Sequence, residues 1–239
     1  YQYCEAAPEA GADGGLVGAN IRCALLYDPN QVQLVPRGHD LSALDDSHVC
    51  RIADGAALSS SPGRVAPRHP AFAGQEERHW APSRKALAAE FSHQGRTLFV
   101  LVCHLKSMRA DTRRAEDYAK KQRHAQAEVL TGMVSALKAC APQAGVLLLG
   151  DCNDVPGSKT LKLLRGSHLH NPAESLIAKG QWYSRRHGGR PQALDHILHC
   201  TRLQALAMQI PHLNSDVAQE LRCSDHDPIS LSLEWKNIV

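Results

Sequence analysis

Six polar residues stand where apolar runs stop. "FVLVCH" ends at His104, "VLLLG" runs into Asp151 and Asn153, "QALD" brings up Asp195, and "LRCSDHD" sets Asp225 and His226 before the last apolar stretch. Carboxylate and amide oxygens are the donors that hard cations take, and imidazole is the side chain that exchanges protons near neutral pH. These are the residue types of acid–base and metal chemistry. Singly, each has an ordinary reading: a lone His is more often structural, "GDCND" is a turn closed by Asx hydrogen bonds, and "SDHD" is a turn or helix cap. The shared pattern favours the joint reading, because strand ends are rigid mounts and several meeting on one rim make a site.

The mounts themselves are legible. "ALAAEFSH" (86–93) and "RTLFVLVCHLK" (96–106) read as two strands about a turn at Gln94-Gly95, the second apolar enough to be buried on both faces. From Thr112 to Cys140, residues Ala115, Ala119, Gln122, Ala125, Val129, Met133 and Leu137 recur every three or four positions and predict a long helix ended by Pro142. "AGVLLLG" (144–150) predicts a buried strand, "SKTLKLLRG" (158–166) a short helix, "QALDHILHC" (192–200) and "LQALAMQI" (203–210) a strand pair, and "DPISLSLEW" (227–235) a last strand of period two. Upstream, residues 1–19 read as a loose opening, and "NIRCALLYDPNQVQLV" (20–35) as a β-hairpin about Asp28-Pro29-Asn30. Residues 54–83, dense in Ser, Pro and Gly, read as a long loop over a working surface or as a disordered insert. Strands outnumber helices and one long helix connects two of them, which predicts a single α+β domain over 1–239 with helices outside packed sheets.

Composition narrows the class. With 43% hydrophobic and 21% charged residues, the 239-residue chain has the balance of a soluble globular protein. It holds no run near the ~20 apolar residues that span a bilayer. The net charge of +3 is a weak sign of an anionic partner. Two basic stretches, Arg109/Arg113/Arg114/Lys120/Lys121/Arg123 and Arg185/Arg186/Arg190, read equally as solvated faces or phosphate-facing patches. None of the eight cysteines forms a C-x-x-C pair, and Cys23, Cys103 and Cys200 sit inside apolar runs, as buried reduced thiols do. The even count leaves a secreted, disulfide-bearing form open. The fourteen histidines are scattered, with His168-x-His170 the closest pair, which argues against a zinc protein.

Taken in order, "SRKALAAEF", "FVLVCHLKS", "LLLGDCND", "ALDHIL" and "SDHDPI" resemble the endonuclease/exonuclease/phosphatase superfamily, the DNase I-like fold, over about residues 20–235. The phrasing is most similar to bacterial nucleases, often extracellular ones. The resemblance implies a four-layer sandwich: two packed, mostly antiparallel sheets with helices outside. It implies metal-dependent hydrolysis of phosphoric esters by an activated water, with Mg²⁺ as cofactor (Mn²⁺ or Ca²⁺ in its place) and nucleic acid, DNA first, as substrate. By position, Asp151 would orient or deprotonate the water, Asn153 would bond the phosphate or metal, and Asp225 would be a metal ligand, with Asp151 and Asn153 beside it. His226 would contact the phosphate or move a proton, with Asp195 holding its ring. His104 would donate to the phosphate or the leaving oxygen. Arg84 would hold a flanking phosphate, and Tyr183 would be a phosphate contact or a rim aromatic. A lipid or inositol phosphohydrolase and a catalytically impaired binding domain are the alternatives. The family also opens with a strand carrying Asn and a strand ending in Gln-Glu, whose Glu is the principal metal ligand. Neither is in the sequence, and Glu5 and Glu9 are not assigned that role. Weak metal binding, little activity from these residues alone, and bare sheet edges are the expectations that follow.

Overall fold

The computed structural model describes residues 1–5, 21–37, 49–52, 55–58, 60–65, 83–109, 111–178 and 180–236. Its first strands are β1 (Gln2–Glu5), β2 (Ala24–Tyr27), β3 (Gln33–Leu34), β4 (Val49–Ile52), β5 (Gly55–Leu58), β6 (Gly63–Val65), β7 (Ala86–His93) and β8 (Arg96–His104). Then come α1 (Arg113–Cys140), β9 (Gly145–Asp151), α2 (Lys159–Arg165), β10 (Leu169–His170) and α3 (Ala173–Leu176). The chain closes with β11 (Arg185–His187), β12 (Arg190–Gln192), β13 (Asp195–Cys200), β14 (Leu203–Gln209) and β15 (Ser230–Trp235).

A seven-stranded sheet runs β10-β13-β9-β8-β7-β3, with β6 also on β7. Its one parallel pair is β8–β9. A parallel pair needs a crossover, and the 28-residue α1 supplies it. Thr112 caps that helix, its Oγ1 accepting the Ala115 N–H at 3.2 Å. Strand alternation divides the sheet's apolar residues between two layers. Phe99, Leu101, Cys103, Val146 and Leu148 pack with Ala127, Leu130, Val134 and Leu137 of α1. Val100, Leu87, Ala89 and Phe91 face the other way, with Leu98, Val102, Leu147 and Leu149, against Cys4, Cys23, Leu25 and Tyr27 of the β1–β2 side. Helices thus lie outside one face and a second, smaller sheet covers part of the other, as the α+β expectation requires.

Four expectations about the elements are corrected. The turn after Tyr27 forms, with the Asn30 N–H on Asp28 Oδ1 at 2.9 Å, but β2 and β3 do not pair with each other. β2 pairs with β1, and β3 pairs with β7. The "loose" opening therefore contains a strand, which leaves Leu25 and Tyr27 free to cover the sheet and sets Tyr27 edge-on to Phe91. Within 54–83, β5 and β6 are strands rather than loop, and Leu58 and Val65 are core residues. The Ser and Pro there misled the reading because the structure satisfies them: Ser61 Oγ accepts the Glu90 N–H at 3.0 Å. Residues 66–82 lie outside those described. Last, the predicted strand at 192–200 starts at Asp195, because Arg190–Gln192 turns back on Arg185–His187 as a separate hairpin.

Candidate active site

Strand register brings three of the polar residues into one row. His104 lies opposite Asp151 across the parallel β8–β9 pair. Asp195 lies opposite Asp151 across the antiparallel β9–β13 pair. Paired residues share a face, so the three side chains leave the sheet on the same side. A slip of one residue would send any of them to the helix face. Gly150 makes the close approach feasible. Its φ is +132°, and a Cβ there would fall 2.0 Å from the Cys103 carbonyl oxygen.

Past the strand end, both ordinary readings hold. Asp151 Oδ1 accepts the Asn153 N–H at 2.8 Å, an Asx turn, with Asn153 at φ 48°. The Asn153 amide nitrogen donates to Asp151 Oδ2 at 3.0 Å and to the Leu105 carbonyl at 3.1 Å. The turn therefore fixes the carboxylate, and only Asn153 Oδ1 is left for a phosphate or metal. The "SDHD" segment is a turn as well, with the His226 N–H on Ser224 Oγ at 3.1 Å. It is anchored from behind by Asp227. That buried carboxylate accepts the Asn214 and Ser215 N–H groups at 2.8 Å each, the Ser215 hydroxyl, and His212 Nδ1 at 3.1 Å. Asn214 Nδ2 holds the His226 carbonyl at 2.6 Å.

So presented, His226 Nδ1 meets Asp195 Oδ2 at 2.6 Å. The same oxygen takes the Ser184 hydroxyl at 2.5 Å. Ser184 Oγ in turn accepts the Leu194 and Asp195 N–H groups, and its carbonyl takes the Asp227 N–H at 2.6 Å. This fully buried serine ties the two halves of the dyad together. Sequence reasoning missed it, and "WYSRR" carries no spacing signal that would have found it.

Electrostatics separate the two imidazoles. The hydrogen bond to Asp195 raises the pKa of His226 above its ordinary value. Burial, then the charges of Arg84 and His226, push His104 down to about 4, so it is neutral at pH 7 and stands 3.3 Å from Asp151 Oδ2. Burial, then the neighbouring Asp195, push Asp151 up to about 6. Arg84, just before β7, is half-buried; its charge acts on His104 and Asp151, and its Nε has no hydrogen-bond partner.

Two expected residues have other partners, although the Asp225 charge still acts on His104 and His226. Asp225, read as a metal ligand, is 68% exposed and paired with Arg185 at 2.9 Å. The turn held by Asn214 and Asp227 turns His226 toward Asp195, while the Asp225 carboxylate pairs with Arg185. Tyr183, read as a phosphate contact, is buried. Its hydroxyl donates to Asp216 at 2.9 Å and accepts from Arg186 at 3.0 Å, and its ring stacks on His212 at 3.8 Å. It supports the loop behind Asp227. Glu5, never assigned, ends β1 in an ion pair with Arg22 at 2.7 Å.

Asp151, Asp195 and His226 each offer a ligand atom, all within 4.8 Å of one another, the only such group among the described residues. Two carboxylates side by side, one pushed up by burial and by the other, form an arrangement that a hard cation relieves. The oxygen donors fit a divalent ion of that kind. Seven described cysteines are free, including Cys103 and Cys152 beneath the row. No helix among the described residues is long and apolar enough to cross a membrane.

A model of the endonuclease/exonuclease/phosphatase family matches residues 35–226. The chain belongs to that family, whose members hydrolyse phosphoester bonds and are generally metal-dependent. Solved structures share its DNase I-like fold. One is a functionally unknown conserved protein from Enterococcus faecalis V583: 17% identity, 89% of this chain and 71% of that one, TM-score 0.57. Another is a mannosyl-6-phosphatase from Bacteroides thetaiotaomicron VPI-5482: 13% identity, 98% and 77%, TM-score 0.55. A third is the catalytic domain of human nocturnin with bound sulfate: 20% identity, 88% and 64%, TM-score 0.50. The chain thus spans 64% of the nocturnin domain's length. At these identities the likeness is one of fold. No curated protein matches the sequence.

Proposed function

We propose that this protein hydrolyses phosphodiesters of nucleic acid, with Asp151, Asp195, His226, His104, Asn153 and Arg84 as its working residues. The observation that carries the reading is the Asp195–His226 hydrogen bond of 2.6 Å standing beside Asp151 in one cluster. Asp195 accepts the Nδ1 proton, which fixes the His226 tautomer and leaves Nε2 to take a proton from water or return one to the leaving oxygen. Asp151, held by Asn153, orients that water. Neutral His104 donates a hydrogen bond to a phosphoryl oxygen, and Arg84 offsets the phosphate charge. Asp151 and Asp195, with Asn153 Oδ1, would hold Mg²⁺ or Mn²⁺; such an ion polarises the phosphoryl group and lowers the pKa of water. Support for a polyanionic substrate comes from the basic loop after His104 and from the cationic hairpin β11–β12.

The test is plasmid incubated with the protein and Mg²⁺, with and without EDTA. Nicking that stops with EDTA is the expected result. Release of inorganic phosphate from monoesters with the plasmid intact would instead assign the chain to phosphatase chemistry. DNA binding without turnover in any metal would leave only a binding domain.

A further inference from the structure

The basic stretch around the start of α1 divides into cations spent on the fold and cations that are not. Arg123 is spent: it is buried, lies 3.5 Å from Asp154, and donates to the Lys106 and Ser107 carbonyls. Lys120 and Lys121 are exposed on the helix surface. Lys106, Arg109 and Arg114 instead line a groove of about 410 Å³, with Thr112 and Tyr118 in its wall. That size falls in the ~300–1,000 Å³ range of ligand pockets. None of the residues lining it is acidic.

The groove shares the chain segment that leaves β8 at His104. Lys106 is two residues beyond His104, and its N–H is fixed by Gln126 Oε1 at 2.8 Å. The charge of Arg84 acts on Lys106 as it does on His104 and Asp151, so Arg84 stands near both the cluster and the groove's first cation. Three cations select an anion. The Tyr118 ring, 39% exposed, adds a flat apolar surface that a bare phosphate or sugar phosphate would not use. A nucleotide uses both: its phosphate meets the cations and its base stacks on the ring. A base is available to stack only when unpaired. We infer that the groove of Lys106, Arg109, Arg114 and Tyr118 binds a nucleotide flanking the scissile phosphate of a single strand. Its place in catalysis rests on the phosphodiesterase reading above; its binding does not.

The experiment is fluorescence anisotropy of a labelled short oligothymidylate titrated with the protein in EDTA, so that no turnover occurs. Arg109→Glu/Arg114→Glu should weaken binding roughly 10-fold or more through lost phosphate contacts. Tyr118→Ala should weaken it roughly 10-fold while Tyr118→Phe stays near wild type. Lys120→Glu/Lys121→Glu makes the same charge change outside the groove and should have little effect. Circular dichroism melts confirm that each variant folds. Equal losses from the two double reversals, full affinity in Tyr118→Ala, or no binding by the wild type overturns the inference. Hydrolysis of bis(4-nitrophenyl) phosphate with Mg²⁺ reads the catalytic proposal separately, because that small diester does not extend along a strand. Oligonucleotide binding with the diester left intact keeps the groove and discards the hydrolase.

Discussion

Ser184 shows how much of a site can rest on one uncharged atom. Its hydroxyl reaches Asp195 Oδ2 at 2.5 Å while accepting two N–H groups. Ser184→Ala should lower kcat by roughly 10- to 100-fold, the scale seen when a supporting partner of a site residue is lost. It should also cost about 1–3 kcal/mol by leaving buried N–H groups unpaired; kcat and a urea melt on the same variant measure both. The Asp195–His226 bond has a second consequence at this scale. As a base, His226 works only when deprotonated, and the bond raises its pKa above 6.5. The acid limb of the rate profile should therefore lie above pH 6.5. Asp195→Asn should move that limb to lower pH while reducing the plateau, and a limb that does not move would detach His226 from the reaction.

Among the elements, the β8–β9 parallel pair carries the most. Its register sets His104 against Asp151, and at Gly150 a Cβ would run into the Cys103 carbonyl oxygen of the neighbouring strand. Gly150→Ala should destabilise the protein by about 3 kcal/mol or more, since strained backbone and a backbone clash add, and should lower activity even where the protein stays folded. A denaturation curve within a few tenths of a kcal/mol of wild type would contradict this. The segment 212–227 depends similarly on Asp227; Asp227→Ala, which strips the partner from several buried donors, should cost about 3 kcal/mol or more and displace His226.

These two elements also mark what the sequence could and could not tell. "FVLVCH" and "VLLLGD" announced their strands through unbroken apolar runs, and α1 through its three-and-four spacing, so His104, Asp151 and their connection were legible. Asp195 was legible as a polar residue at a strand end, and His226 as a polar residue just ahead of the last apolar run. The partners of Asp225 and Tyr183 were not, because no local pattern records that Arg185 pairs with the one and that Asp216 and Arg186 hold the hydroxyl of the other. β1, β5 and β6 were missed because short strands with Ser, Pro or Gly owe their form to partners distant in sequence rather than to local preference.

At the scale of the whole molecule, cation binding and stability should be linked. Without a cation, burial and Asp195 hold the Asp151 pKa near 6 against an ordinary 3.8. A carboxyl whose pKa is raised on folding binds more protons folded than unfolded between those values, so stability falls as pH rises through that window. Mg²⁺ reverses the penalty by binding the ionised form. The gain in Tm on adding Mg²⁺ should be larger at pH 7.5 than at pH 5, and should vanish in Asp151→Asn. An equal gain at both pH values, or one retained in the variant, would place the cation elsewhere.

In the proposed function, the row His104–Asp151–Asp195, completed by His226, breaks phosphodiesters. Its most direct measurement is Mg²⁺-dependent hydrolysis of bis(4-nitrophenyl) phosphate by wild type and His226→Ala, with equal melts verifying the fold. Hydrolysis that EDTA abolishes, with a kcat lowered by roughly 10²- to 10⁴-fold in the variant, is the expected result. Equal rates in the two proteins, or no hydrolysis by the wild type with any divalent ion, would contradict it.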